Sequence, residues 1–332
     1  METDSTHISI KGKQTEVKSA DVDGQTVVVK GKWFKVAEVM DEAWLAGQTI
    51  THPEQFIDRL KAQRLGADLF TFMQKLPDTK PRFAYALEMD NVAATPTTSF
   101  AEWWEHRLPQ ESRKNARRAA KRGVVTKSVP LTDELIRQIV EIYNESPIRQ
   151  GVPFWHFGKN FETVKREIST FPDQSEFIGA YLGEELIGFI KVVYAPPVAN
   201  MMQIVSKNAH RDKRPTNALI AKAVEICEQK GFGYLVYGKY SYGNKTESTL
   251  SDFKHRNGFE KILVPRYYVP LTLYGRVILL FKLHRGLLGL IPSGCLSLML
   301  NLRAKFYRNV WLPLRLKPKT AAGPVAEDGQ SD

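Results

Sequence analysis

Apolar and polar positions follow two rhythms along this chain, one of period two and one of period three to four, and the changes between them mark its elements. In QTVVVKGKWFKVAEVM (25–40) the apolar positions predict two strands joined at Lys30-Gly31-Lys32. Pro53 then opens PEQFIDRLKAQR as a helix with Phe56, Ile57 and Leu60 on one face. DLFTFMQKL and RFAYALEMD read as two further strands. From Ser99 to Arg122 the spacing is helical, interrupted by Pro109, and its second part is the basic stretch SRKNARRAAKRG, closed by Gly123.

After Gly123 the series starts again. A short strand, VVTKSV, precedes the helix TDELIRQIVEIYNES, whose Leu135, Ile139 and Ile142 share a face; an aromatic loop, PIRQGVPFWHFG, and the helix FETVKREIS follow. EFIGAYL and LIGFIKVVY form a hairpin around Gly183-Glu184-Glu185, followed by the strand MMQIVS. The loop KNAHRDKRP leads into the helix TNALIAKAVEICEQK, which Gly231 closes. The strand YLVYG, the short helix LSDFKHRNGF and a strand around RYYVPL complete the series. Strands and helices in alternation predict an α/β fold.

Length and composition narrow the class. With 332 residues, 43% of them hydrophobic, the chain suits two domains or one elaborate one and is neither collagen-like nor mostly disordered. Cys227 and Cys295 are its only cysteines, which excludes a disulfide framework or a cysteine-based zinc cluster. The histidines show no ligand spacing with carboxylates, so no metal is expected. METDSTHISIKGKQTEVK lacks the apolar core of a signal peptide, so a cytoplasmic location is expected.

Charge adds a regional feature. Lys and Arg outnumber Asp and Glu by 47 to 36, and the stretch between Glu260 and Glu327 holds no acid but eleven cations, from Lys261 to Lys319. The whole net charge of +11 therefore belongs to one C-terminal region. Within it, residues 271–316 form a basic apolar appendage containing VILLFKL and GLLGLIPSGCLSLMLNL, the latter broken by Pro292 and Gly294 and shorter than the roughly 20 residues of a spanning helix. Two readings stand: an interfacial helical hairpin on an anionic bilayer, peripheral on the inner face of the cytoplasmic membrane, or helices packed on the core. The tail, 317–332, has the composition of a disordered segment.

Three places carry candidate chemistry. Arg211, Lys213 and Arg214 precede a helix start at Thr216, Asn217 and Ala218, where free N–H groups and the helix dipole favour a phosphate; a plain N-cap beside a solvated basic loop is the alternative. Arg113, Arg117 and Lys121 lie on one ridge of the basic helix, which either meets a polyanion or is a solvated face. In the aromatic loop, Arg149, Gln150, Trp155 and His156 have the composition of a binding wall. His156 is a candidate general base or a stacked structural histidine; Glu145, Tyr237, Tyr240, Tyr242 and Lys254 are further candidates for catalysis or substrate binding.

The order hairpin, strand, polar loop, helix, strand, helix, strand over 124–270 resembles the acyltransferase core of the GNAT superfamily. That family's glycine turn reads here Arg211-Asp212-Lys213-Arg214-Pro215-Thr216-Asn217-Ala218, with Arg214 and Thr216 at the glycine positions. Three stretches resemble its FemAB-like branch, which includes peptidoglycan aminoacyltransferases: Trp103-Trp104 leading to Ser112-Arg113-Lys114-Asn115-Ala116-Arg117-Arg118-Ala119; Pro215-Thr216-Asn217-Ala218-Leu219-Ile220; and Leu250-Ser251-Asp252-Phe253-Lys254-His255-Arg256-Asn257-Gly258-Phe259. The resemblance implies tandem GNAT-like units: a degenerate unit over 1–98, a basic connecting helix over 99–123 and the core over 124–270. It implies acyl-CoA as donor, bound by Ile204 and Ser206 of MMQIVS and by the turn and helix start; because such chemistry often needs only a positioned amine, a base and a backbone N–H, it forces no catalytic residue, and Glu145, His156 and Tyr237 stand as candidates from the residues themselves. The expected reaction is transfer to an amine or hydroxyl, with an acyl carrier or aminoacyl-tRNA as other donors, and a membrane-surface location would suit a cell-envelope or lipid-linked acceptor. A non-catalytic binding protein using the basic helix on nucleic acid is the alternative.

Overall fold

The structure, a computed structural model, describes residues 4–10, 13–44, 50–149, 151–242 and 248–285. Gln150, Cys295, most of the 271–316 appendage and the 317–332 tail lie outside the described residues. Residues Met1–Phe281 make one compact unit, and Lys282–Asp332 fall in a second.

The chain begins with four antiparallel strands, β1 (Asp4–Ile10), β2 (Lys13–Val22), β3 (Gln25–Lys30) and β4 (Val36–Val39). Helix α1 (Pro53–Ala62) carries it to β5 (Leu69–Met73), which runs parallel to β4. After β6 (Ala86–Pro96) come α2 (Phe100–Glu102), a π-helical turn over Trp103–Arg107, and α3 (Gln110–Lys121). The second series is β7 (Val124–Val129), α4 (Asp133–Asn144), the short pair β8 (Ile148–Arg149) and β9 (Val152–Pro153), α5 (Phe161–Ile168), β10 (Ser175–Leu182), β11 (Glu185–Ala195) and β12 (Val198–Ser206). It continues through α6 (Pro215–Gln229), β13 (Tyr234–Val236), α7 (Thr249–Arg256), β14 (Glu260–Pro270) and α8 (Leu273–Leu280).

Twelve strands form one sheet in the order β1-β2-β3-β4-β5-β14-β6-β13-β12-β11-β10-β7. Read inward from its two ends, this order repeats the same plan: four antiparallel strands, a helical crossover to a parallel fifth strand, and then a sixth strand contributed by the other half of the chain. The sheet runs unbroken past the expected boundary at residue 98, because β14 lies between β5 and β6. Long-range pairing of this kind leaves no local signature.

Helices cover both faces. On one, Leu219, Ile220, Ala223 and Val224 of α6 meet Ile187, Ile190, Val192 and Met201 of the sheet, with the small residues Ala116 and Ala119 bringing α3 close. On the other, Leu135, Ile139 and Ile142 of α4 and Val164 and Ile168 of α5 bury Phe177, Leu186 and Phe189. Each fully buried side chain of this size contributes roughly 1.5–3 kcal/mol. A third core joins α1 to β2, β3, β4 and β5 through Phe56, Ile57, Leu60 and Phe70.

The strand expected over RFAYALEMD begins only at Ala86. The N–H groups of Arg82 and Phe83 instead reach the Tyr267 hydroxyl at 2.9 and 3.4 Å, and Phe83 and Tyr85 join Phe72 and Tyr267 in an aromatic cluster. Apolar alternation was satisfied there by ring packing rather than by a ladder.

Candidate functional site

Strand β12 pairs with β11 from Val198 to Ser206, but with β13 only through Val198, Ala199 and Asn200. Beyond Asn200 its edge toward β13 has no ladder partner among the described residues. Such an edge offers hydrogen-bonding backbone groups to a ligand. In the first half of the chain β4 ends one residue after its last pairing with β5, and no comparable edge opens.

A bracket of charged side chains shapes the turn that follows. Glu145, just past the end of α4, accepts hydrogen bonds from the N–H of Asn208 at 2.6 Å and of Ala209 at 2.8 Å. Arg149, four residues on, donates to Glu145 at 3.3 Å, to the Ser206 carbonyl at 2.6 Å and to the Ile142 carbonyl at 2.7 Å, with its guanidinium 4.4 Å from the Phe154 ring. Burial holds the Arg149 pKa below its ordinary value, against the pull of Glu145. These two residues thus fix the path from β12 into α6.

The turn ends with Arg214 at φ 59° and ψ 39°, the left-handed conformation that glycine would adopt freely. Holding a side chain there costs about 1–2 kcal/mol, a strain retained beside a functional-site candidate. The Arg214 Nε is buried without a partner, and Arg211 is exposed without an ion pair among the described residues. Lys213 pairs with Asp212 at 3.3 Å, and Arg122 from the end of α3 reaches the same carboxylate at 3.2 Å. Pro215 opens α6, whose first turn holds no acid, so the helix start at Thr216 and Asn217 follows a turn with three cations, Arg211, Lys213 and Arg214, against the single carboxylate of Asp212. Helix α1, its counterpart in the first half, carries Glu54 in its first turn.

The remaining predicted donor residues divide. The Ser206 and Thr216 hydroxyls lie 3.1 Å apart and tie β12 to α6, while Ile204 and Ala218 pack at the margin of the core. The Asn217 side chain donates to Asn257 at 3.0 Å, Ser112 donates to the Arg256 carbonyl at 2.5 Å, and Trp103 lies against Gly258. A Cβ on Gly258 would stand 2.9 Å from the Trp103 Nε1, and its φ of +78° is itself strained for any other residue. The three stretches that carry the sequence resemblance therefore interlock around α6 and α7. Arg113 bonds Glu105 at 2.5 Å and Arg117 stacks on Trp104 at 5.5 Å, so both serve this same packing.

His156 is buried, with its ring 4.1 Å from Tyr143 and 4.0 Å from Trp155. Its Nε2 lies 3.0 Å from the Gln203 amide and its Nδ1 3.4 Å from the Lys159 ammonium. Burial first, then the Lys159 and Arg149 charges, push its pKa down to about 3. Of the two readings of this residue, the geometry matches the stacked neutral histidine, a weak base near neutral pH. Gln203, on the free segment of β12, was not singled out in the sequence because an amide on an apolar strand carries no pattern.

Lys254 is 1% exposed, and its ammonium donates to the Lys239 carbonyl beneath the Tyr237 and Tyr242 rings, at 4.8 and 5.2 Å. Burial pushes its pKa down to about 8, and burial with the neighbouring Tyr242 pushes Tyr237 up to about 12. Tyr240 packs at the edge of the same core, its pKa raised by burial and Asp252. A lysine depressed in the folded state favours folding above its unfolded pKa near 10.4 and loses that contribution as pH falls through the folded value. Lys254→Met should therefore flatten the change in stability between about pH 8 and 10.4, checked by urea unfolding at stepped pH. A slope unchanged from the wild type would show that Lys254 is not the group that titrates.

Among the described residues no His, Cys, Asp and Glu cluster is placed to hold a metal, and no helix is long and apolar enough to cross a membrane. Burial pushes the Cys227 thiol up to about 12, which makes it inert.

No family model matches the chain, and no curated protein matches its sequence. Solved structures do. FemX superposes with a TM-score of 0.56 at 10% identity, over 84% of this chain and 90% of FemX. L-PGS from Bacillus licheniformis superposes with a TM-score of 0.50 at 13% identity, over 80% of this chain and 88% of that one. The C-terminal DUF2156 domain assigned to a lysylphosphatidylglycerol synthetase of Agrobacterium fabrum gives 0.50 at 13% identity, over 79% and 89%. At such identities these likenesses speak to fold alone: a mixed α/β architecture with one large sheet and flanking helices, consistent with the GNAT-like plan.

Proposed function

We propose that this protein is an acyltransferase of GNAT-like, FemAB-like type, in which the second half of the chain binds a phosphate-bearing acyl donor and the first half is a degenerate copy of the same unit. The observation that carries the reading is the continuity of the free β12 edge with an acid-free, cation-flanked helix start at α6. Acyl-CoA suits this arrangement, with phosphates at Arg211, Arg214 and the N–H groups of Thr216 and Asn217, and the acyl carbonyl along Met201–Ser206. An acyl carrier or aminoacyl-tRNA offers the same phosphate chemistry.

Backbone N–H groups on the free edge would stabilise the oxyanion formed when an acceptor amine or hydroxyl attacks the carbonyl carbon. The new N–C or O–C bond forms, the thioester C–S bond breaks, and the acceptor's proton leaves with the thiol or through water. Such chemistry relies mainly on positioning, in keeping with the neutral His156. The mixed company of folds, FemX and lysylphosphatidylglycerol synthetase, supports a cell-envelope or lipid-linked acceptor, as does the acid-free C-terminal stretch.

A donor at 100 times its Kd should stabilise the protein by about 2.7 kcal/mol, read as a rise in Tm with CoA, acetyl-CoA or long-chain acyl-CoA. The R211E/R214E variant should lose at least about tenfold in donor affinity, since two favourable charges become repulsive. Unchanged affinity would exclude the turn as the phosphate site. The second reading, a polyanion-binding protein, rests on the exposed Lys114 and Lys121 of α3, which have no ion pair among the described residues. It predicts binding to nucleic acid that falls steeply with salt, and no response to acyl-CoA.

A further inference from the structure

Two elements more than 200 residues apart place large apolar side chains in solvent at one end of the sheet. Trp33, at the tip between β3 and β4, is 91% exposed. On α8, Leu273 and Leu280 are 77% and 75% exposed, with Tyr274, Val277 and Phe281 also in solvent. The opposite side of α8 is the packed one. Ile278 is buried, and Gly275 lies so close to the Asp68 carbonyl that a Cβ would stand 2.0 Å from it.

Asp68 joins the two elements. Its carboxylate accepts from the Lys35 N–H at 2.8 Å and from the Thr272 hydroxyl at 3.2 Å, and its carbonyl accepts from the Leu271 N–H at 2.8 Å. The hairpin tip and the start of α8 are thus held side by side. Exposed cations surround this surface: Lys32 and Lys35 beside Trp33, and Arg276 on α8, none of them in an ion pair with a described residue. The Asp68 carboxylate between the two elements is occupied by its hydrogen bonds.

We propose that the Trp33 tip and the outer face of α8 together form a docking surface for an anionic lipid bilayer. An aromatic at a loop tip and a helix with leucines outward, both among unpaired cations, match the headgroup boundary, where amphipathic rings and apolar chains insert and cations meet lipid phosphates. Charge selects the partner: the stretch from Lys261 to Ala326 has no acid to repel an anionic surface.

Strand direction connects this surface to the proposed site. β14 is antiparallel to β5 and β6, β6 is antiparallel to β13, and β13 is parallel to β12. The start of β5, the end of β14 and the open end of β12 therefore terminate at the same end of the sheet. A lipid-linked acceptor would be met at the end where the free edge opens. This docking surface rests on the lipid-linked acceptor of the proposed function but is tested without any donor.

The full chain should sediment with phosphatidylcholine vesicles containing phosphatidylglycerol, and at least about tenfold more weakly with pure phosphatidylcholine or at high salt. The variant W33A/L273S/L280S should lose at least about tenfold of the vesicle affinity, since its changes remove exposed apolar groups only. Its unfolding midpoint and its donor-induced Tm shift should stay at wild-type values, so failure here is distinguishable from failure of the acyltransfer reading. Nitroxide-labelled lipid should quench the wild type more than W33F. Three results would overturn the proposal: no binding by the wild type, undiminished binding by the variant, or a change of oligomeric state by the variant without vesicles, which would make this face a contact between copies.

Discussion

Replacing Glu42 with glutamine should destabilise the protein by about 3 kcal/mol, the lower part of the range for breaking a buried ion pair, because these side chains keep a little exposure. Glu42 follows β4, and one carboxylate oxygen accepts from the Met73 N–H at 2.6 Å while the other accepts from Arg266 at 2.9 Å. Its carbonyl accepts from Lys75 at 2.8 Å. Arg266, on β14, also bonds Asp90 of β6 at 3.1 Å, and Asp90 receives Lys239 at 2.8 Å. The network therefore spans the strands at which the two halves of the sheet exchange partners, and the substitution would leave Arg266 short of an acceptor. A loss of this size is a large part of a marginal stability.

The same network predicts a pH dependence. Burial alone would raise the Glu42 carboxyl, but the Arg266 and Lys75 charges outweigh it and hold the carboxyl below its usual range. Asp90 is lowered likewise, its burial outweighed by Lys239 and Arg266. A carboxyl depressed in the folded state contributes stability above its unfolded pKa, near 4.3 for Glu, and that contribution is lost as pH falls through the folded value. Glu42→Gln should accordingly flatten the acid limb of stability against pH, measured by urea unfolding below about pH 5. Glu16→Gln, at an exposed residue on β2, should stay within about 0.5 kcal/mol of the wild type.

How far the sequence carried these conclusions depends on the reach of each signal. Where one face of a strand or helix is apolar, local pattern located the element: β3, β10, β11, α4 and α6 lie where the spacing put them. β1 and β2 escaped notice because their sequences are mostly polar, and Ile8, Val17 and Val22 are too few and too widely spaced for an apolar alternation to stand out. The exchange of β6 and β14 was hidden for a different reason, since pairing across most of the chain depends on shape and not on any local run. In the site, the cationic turn was legible because charge next to a helix start has a direct physical meaning. The roles of Glu145 and Arg149 were not, because a bracket is defined by what its side chains touch: the loop from Asn208 to Ala209, some 60 residues away.

That bracket yields the largest expected effect on function. Glu145→Ala should lower kcat/KM on the order of 100-fold, because the turn that carries the proposed phosphate site at Arg214 and the helix start loses its anchor, and misplacement at this scale is costly. Stability should fall as well, by about 2–3 kcal/mol, because Arg149, only 15% exposed, loses its carboxylate partner, although water can replace the carboxylate at the exposed N–H groups of Asn208 and Ala209. Glu145→Gln, which retains one acceptor oxygen beside Arg149, should lie between the two. These variants separate a positioning role from proton transfer. If Glu145 positions the turn, donor affinity and the donor-induced Tm shift fall together with kcat/KM, and the pH profile of the residual activity keeps its wild-type shape. If Glu145 were instead the base, Glu145→Gln would leave donor affinity intact, lower kcat at saturating donor and remove the acid limb of the pH profile, where a base is lost to protonation. The geometry favours the first outcome, because both carboxylate oxygens are already occupied by the backbone of the turn they hold.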